Sequence, residues 1–257
     1  MKVGVLQFAP KFKAKEENLT RIEKFITNVS VDGIVLPELA TTGYAFESKA
    51  ELIPFAEPIP GPTTDRLSKL AASSGMWIVF GMAELYNENI YNSCVFISQG
   101  QKLYKYRKIH LFRDEKFIFT PGDSPFQVLS IDNVKFGLLV CFDWIFPEAT
   151  RSLALQGAQI ICHPANLILP YCQLGMRTRA VENGVFIITA NRTGEEQGMK
   201  FTGKSQVVNP RGEVILKFTS KDQCVKVVEI QPDDALNKNI TEHNHLFKDR
   251  RKEFYIL

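Results

Sequence analysis

Short apolar runs of strand length alternate with amphipathic runs of helix length along most of this chain, and that alternation leaves few architectures open. Lys2 to Phe8 reads as a strand, and Glu16 to Ser30 places Leu19, Ile22, Ile26 and Val29 on one helical face. Gly33 to Pro37 reads as a second strand. Thr63 or Thr64 is placed to cap a helix in which Leu67, Leu70 and Ala71 face inward. Met76 to Ala83, Ile90 to Ser98 and Gln101 to Lys108 read as an antiparallel meander, with turns at Tyr86-Asn87-Glu88-Asn89 and Gln99-Gly100. The pattern then restarts. Val134 to Val140 is a strand, and Pro147 to Gln156 a helix with proline in its first turn and Gly157 just past its end. Ala158 to Cys162 is a strand, Tyr171 to Asn183 a helix closed by Gly184, and Val185 to Ala190 a strand. Lys204 to Asn209 and Val214 to Phe218 form a hairpin around Pro210-Arg211-Gly212, and Val225 to Ile230 is the last strand. No Gly/Ser/Pro linker separates the two β-α-β halves. Residues 1–257 are therefore expected to form a single α/β domain, a sandwich of two sheets with helices outside.

Composition excludes several roles. Apolar residues are 45% of the chain and include 19 Phe, enough for a large core. A formal net charge of +3 is too small to point to a nucleic-acid partner. The mixed segment Lys248-Asp249-Arg250-Arg251-Lys252 reads as a solvated face or a subunit contact. The first residues run straight into a strand, unlike a secretory leader, and no run approaches the roughly 20 apolar residues of a membrane span. Five cysteines, at 94, 141, 162, 172 and 224, are odd in number and contain no CxxC. Neither a disulfide framework nor a zinc site is expected, and no cofactor. The expected setting is a reducing cytoplasm, where a free thiol survives.

Three strand ends carry reactive side chains, where α/β proteins usually build their sites. Glu38 follows Ile34-Val35-Leu36-Pro37. Lys108 ends the run Tyr104-Lys105-Tyr106-Arg107, and period-2 alternation puts Lys108 and His110 on one face and Arg107 and Ile109 on the other. Cys141 ends Phe136-Gly137-Leu138-Leu139-Val140 and precedes the helix at Pro147. A thiol at such a turn is held at a rigid edge beside free backbone N–H groups, as a covalent catalyst requires.

These segments resemble the nitrilase superfamily of carbon–nitrogen hydrolases over essentially the whole chain. The likeness rests on LPELATTGY (36–44), YKYRKIHLF (104–112), FTPGD (119–123) and VCFDWIFPEATRSLALQGAQII (140–161). It implies a Glu38, Lys108, Cys141 triad, a second active-site glutamate at Glu115, a four-layer α-β-β-α sandwich, and a homodimer or larger homo-oligomer. Many amidase-like members read Cys-Tyr-Asp-x-Arg-Phe-Pro after the nucleophile. This chain reads Cys-Phe-Asp-Trp-Ile-Phe-Pro and is similar to a smaller group that includes aliphatic nitrilases and some amidases.

The resemblance implies thiol hydrolysis of a small aliphatic amide to acid and ammonia, with nitrile or N-carbamoyl hydrolysis as alternatives and no metal. Glu38 would take the Cys141 proton, and the Lys108 ammonium would favour the thiolate. Lys108 and the Phe142 N–H would hold the oxyanion. Glu115 would orient Lys108 or the substrate amide. Tyr44, Phe112, Phe142, Trp144, Phe146 and Asn166 are the candidate substrate-binding residues. Arg177 or Arg179 could serve an N-carbamoyl substrate's carboxylate, but on a helix they more simply make surface or subunit contacts. A Cys–His pair using His110 or His163 leaves Glu38 and Lys108 without a role. Cys162, His163 and Cys172 lack metal-ligand spacing. A non-catalytic interaction module leaves the filled triad positions unexplained.

Overall fold

Strands whose alternate residues are apolar on both faces need a layer on each side, and this sets the architecture. In the computed structural model, which describes residues 1–256, Val3, Val5, Trp77 and Val79 face one core while Leu6, Ile34, Ile78 and Phe80 face another. The elements run β1 (Lys2–Gln7), α1 (Lys15–Ile26), β2 (Gly33–Val35), α2 (Lys49–Leu52), α3 (Pro62–Ser74), β3 (Trp77–Tyr86), β4 (Asn89–Ile97) and β5 (Leu103–Arg107). They continue with α4 (Glu115–Ile118), β6 (Val128–Ile131), β7 (Val134–Leu138), α5 (Pro147–Leu155), β8 (Ile160–Ala165), α6 (Cys172–Asn183) and β9 (Phe186–Asn191). The last are β10 (Glu195–Glu196), β11 (Met199–Lys200), β12 (Gln206–Val208), β13 (Val214–Lys217) and β14 (Cys224–Glu229).

One sheet has the order β14-β1-β2-β3-β4-β5 and the other β13-β12-β9-β8-β7-β6. In each, three central strands are parallel and the flanking strands antiparallel. Helices α1 and α3 cover the first sheet through Leu19, Ile22, Leu67 and Ala71. Helices α5 and α6 cover the second through Ala149, Leu153, Met176 and Ala180. Between the sheets, Trp77 packs on Phe96 and Phe136 with centroids 5.5 and 5.2 Å away. Gly33 admits that indole, since a Cβ there would lie 1.8 Å from it. The result is the expected α-β-β-α sandwich.

Several boundaries differ from the sequence reading for local reasons. The strand from Trp77 runs on to Tyr86, because Asn87 and Glu88 both adopt left-handed backbone (φ 45° and 66°) and close a two-residue hairpin. Helix α3 starts at Pro62 with Gly61 as its cap; Thr64 bonds back to the Gly61 N–H at 2.8 Å and neither threonine is the cap. Strand β5 stops at Arg107, so alternation does not carry on through Lys108 to His110. Strand β6, the short helices α2 and α4, and the hairpin β10–β11 had no clear periodic signal, being only two to four residues long. Among the described residues, no helix is long and apolar enough to cross a membrane.

Candidate active site

The ends of β2, β5 and β7 bring Glu38, Lys108 and Cys141 into one buried cluster. Glu38 lies in the loop after β2, and Gly81 of β3 lets it come close: a Cβ on Gly81 would sit 2.5 Å from the Glu38 Cα. Its Oε1 accepts from Lys108 Nζ at 2.8 Å and from Asn92 Nδ2 at 2.6 Å. Its Oε2 is buried with no hydrogen-bond partner among the described residues. Lys108 Nζ also donates to Glu115 Oε1 at 2.9 Å and lies 2.8 Å from Oε2. Glu115 accepts further bonds from the Tyr44 hydroxyl (2.8 Å) and the Phe112 N–H (3.1 Å). Asn92, not foreseen from sequence, gave no signal because a polar residue in a strand usually faces solvent.

Cys141 sits on a short 3-10 turn, Cys141–Ile145, with a left-handed φ of 41° that a non-glycine residue seldom adopts. Its surroundings over-determine that backbone. The Cys141 carbonyl accepts from His163 Nε2 at 2.8 Å, which puts the imidazole proton on Nε2 and leaves Nδ1 to accept from the Thr189 hydroxyl at 3.2 Å. Buried Asp143 accepts from the Val140 N–H and the Tyr106 hydroxyl, each at 2.8 Å, and meets His110 Nδ1 at 2.8 Å. Strand β5 is thereby tied to the Cys141 turn. Arg179 donates to the Trp144 and Ile145 carbonyls, and Arg177 to Gly212. Both histidines of the rival Cys–His reading are thus engaged elsewhere than at the sulfur. The Phe142 N–H has no acceptor among the described residues.

Burial raises the Glu38 carboxyl above its ordinary range; Glu115 adds to the effect and Lys108 opposes it. Burial works against the Lys108 charge, yet the carboxylates of Glu115 and Glu38 outweigh it and hold the ammonium protonated. Burial and the Glu38 charge push the Cys141 thiol well up, against Lys108. The thiol therefore rests neutral beside the Glu38 carboxyl, in place of the thiolate that Lys108 alone would favour. His163 is held down to about 4, chiefly by burial, and stays neutral at physiological pH.

Phe112, Cys141, Phe142, Trp144 and Asn166, with Leu167, Ile168 and Leu169, line a cavity of ≈ 20 Å³. A second, of ≈ 40 Å³, lies against Tyr44, Phe112, Glu115, Ile168 and Met199. A single water needs about 10–15 Å³, so the first space takes one or two small groups and the second about three. Phe146 is placed differently. It stacks on His110 with centroids 3.8 Å apart and packs edge-on to Phe142, so it backs the wall without lining either cavity. Three wider grooves, of ≈ 480, 510 and 610 Å³, contain none of Glu38, Lys108 or Cys141.

A family model described as carbon-nitrogen hydrolase matches residues 2–237. A curated protein of Pyrococcus abyssi (strain GE5 / Orsay) named as a nitrilase is 44% identical over 259 residues, covering 99% of each chain. The crystal structure of an amidase from Nesterenkonia sp. superposes with a TM-score of 0.81 at 26% identity, over 98% of this chain and 94% of that one. A glutamate-to-glutamine variant of that amidase, at the same TM-score, identity and coverage, shows the acetamide moiety of fluoroacetamide covalently added at its active-site cysteine.

Proposed function

The chain belongs to the carbon-nitrogen hydrolase family, and from that premise we propose that it is an amidase converting small aliphatic amides to carboxylic acid and ammonia through a Cys141 thioester. The observation that carries this reading is the Lys108 ammonium bonded to both Glu38 and Glu115, with the second oxygen of Glu38 left buried and without a partner among the described residues.

Cys141 Sγ attacks the amide carbonyl carbon and its proton passes to the free Glu38 Oε2. The carbonyl becomes an oxyanion held by the third Lys108 N–H and by the unpaired Phe142 N–H; one such donor is worth about 3–4 kcal/mol of barrier. Glu38 then protonates the departing nitrogen, the C–N bond breaks, and ammonia leaves a thioester. A water gives its proton to Glu38 and its oxygen to the acyl carbon, releasing the acid and the thiol. The small apolar cavity beside Cys141 supports a short aliphatic acyl group, and Arg113 is the cation that lines the adjoining cavity beside Tyr44 and Glu115.

The nitrilase reading is favoured by the 44% identical relative. A nitrile would form a thioimidate at the same sulfur and lose ammonia after the first water adds. The deciding experiment is ammonia release by wild type, Cys141→Ala and Lys108→Met on matched aliphatic amides and nitriles. Both variants are expected to fall by at least about 10³-fold, with wild type preferring the amide of each pair. Retained turnover in a variant would remove that residue from the chemistry, and preference for the nitrile would replace the amidase reading. The free thiols suit a reducing cytoplasm. Exposed Tyr171, Leu174 and Val181 on or beside α6, with the apolar tail Phe254-Tyr255-Ile256, favour a homodimer.

A further inference from the structure

The hairpin β10–β11 pairs only with itself and belongs to neither large sheet. Its turn residues Gln197 and Gly198 both have positive φ (48° and 78°), which closes a tight two-residue loop. Glu196, the strand residue next to this turn, is buried and reaches across to the loop that follows Glu38. Its Oε1 accepts from the Tyr44 and Ala45 N–H groups, each at 2.6 Å. Its Oε2 is bonded by Arg192 Nη1 at 2.6 Å. Arg192 is itself almost fully buried, donates to the Pro10 carbonyl at 3.2 Å, and lies over the Phe201 ring at 4.0 Å. Gly43 leaves room for the carboxylate: a Cβ there would lie 2.7 Å from Glu196 Oε2, and its φ of 81° suits glycine.

A buried ion pair is weak evidence for stability, since apolar residues of similar volume often serve as well. What this pair specifies is geometry. One oxygen seizes two consecutive N–H groups, and the side chain between them is Tyr44, whose hydroxyl donates to Glu115 Oε1. Glu115 in turn holds Lys108. Met199, on the hairpin's other strand, lines the same cavity as Tyr44 and Glu115.

We propose that Glu196 is a positioning residue for catalysis, acting through Tyr44 and Glu115 to set the Lys108 ammonium. The proposal rests on the Glu38, Lys108, Cys141 reading above, and it concerns a residue that touches none of the three.

The test is a double-mutant cycle of Glu196→Gln with Tyr44→Phe, measured as kcat and KM on the best amide. A parallel readout is the rate of Cys141 alkylation by iodoacetamide, followed by intact mass. Glu196→Gln is expected to lower kcat on the order of 10–100-fold, the scale of a misplacement near 1 Å, with KM changed far less. The double variant is expected to fall no further than the worse single variant, because both break one chain of contacts. Multiplying effects, or a Glu196→Gln enzyme with wild-type kcat and alkylation rate, would overturn the proposal. Should Glu196→Gln fail to fold, Gly43→Ala, which crowds the same carboxylate, replaces it in the cycle with the same expected and overturning results. A wild type that hydrolyses nothing would sink the amidase reading alone, because the alkylation cycle still decides the positioning role.

Discussion

Glu38 is a buried carboxylate with one oxygen tied to Lys108 and Asn92 and the other without a partner among the described residues. Burial raises it above the roughly 4.3 of a free glutamate, with Glu115 assisting and Lys108 opposing. As the proposed base it works only when ionised. The acid limb of kcat/KM is therefore expected above the ordinary glutamate range, and a limb at or below it would remove Glu38 as the titrating base. Stability carries the opposite sign. The folded chain keeps a proton that the unfolded chain releases, so stability falls as pH rises through the window from the ordinary value to the raised one. Glu38→Gln abolishes that loss. Its stability relative to wild type, from urea melts at pH 4 and pH 8, is expected to be higher at pH 8. This residue was legible in the sequence as an acid at a strand end. Its free oxygen was not, because that depends on Asn92, 54 positions away.

The Cys141 turn shows how an element holds an unfavourable backbone. Cys141 keeps φ at 41° while His163 grips its carbonyl and Asp143 grips the preceding N–H. The His163 pKa of about 4 lies below the roughly 6.5 of a free imidazole. The folded chain resists a proton that the unfolded chain accepts, so this contribution is present above pH 6.5 and is lost as pH falls toward 4. It amounts to about 3 kcal/mol at 1.36 kcal/mol per unit. Denaturant melts of wild type and His163→Gln at pH 7.5 and pH 4.5 are expected to converge at the lower pH, and a constant gap would rule out a neutral His163. Sequence spacing marked the strand–turn–helix around Cys141. It did not reveal that a histidine two strands' length away neutralises the strain, since that contact requires β8 to lie beside β7.

The whole molecule leaves an apolar end uncovered. Phe254, Tyr255 and Ile256 are 68%, 47% and 103% exposed, and Leu257, part of the same expected contact, lies outside the described residues. Under the proposed homodimer this tail packs on the partner. Removing Lys252 to Leu257 is expected to shift elution toward the monomer at low micromolar concentration, and an unchanged volume would place the interface elsewhere. The sequence by itself determined the layered α/β sandwich and the three reactive strand ends. Strand periodicity and helix amphipathicity are local properties, and the motif residues stand at the ends of those runs. The tertiary structure decided the rest: that Lys108 lies between two carboxylates, that Phe146 backs the wall while Trp144 lines the cavity, and that Glu196 reaches Tyr44. Each of these depends on side chains far apart in the chain meeting where two sheets pack, and no local pattern encodes such a meeting.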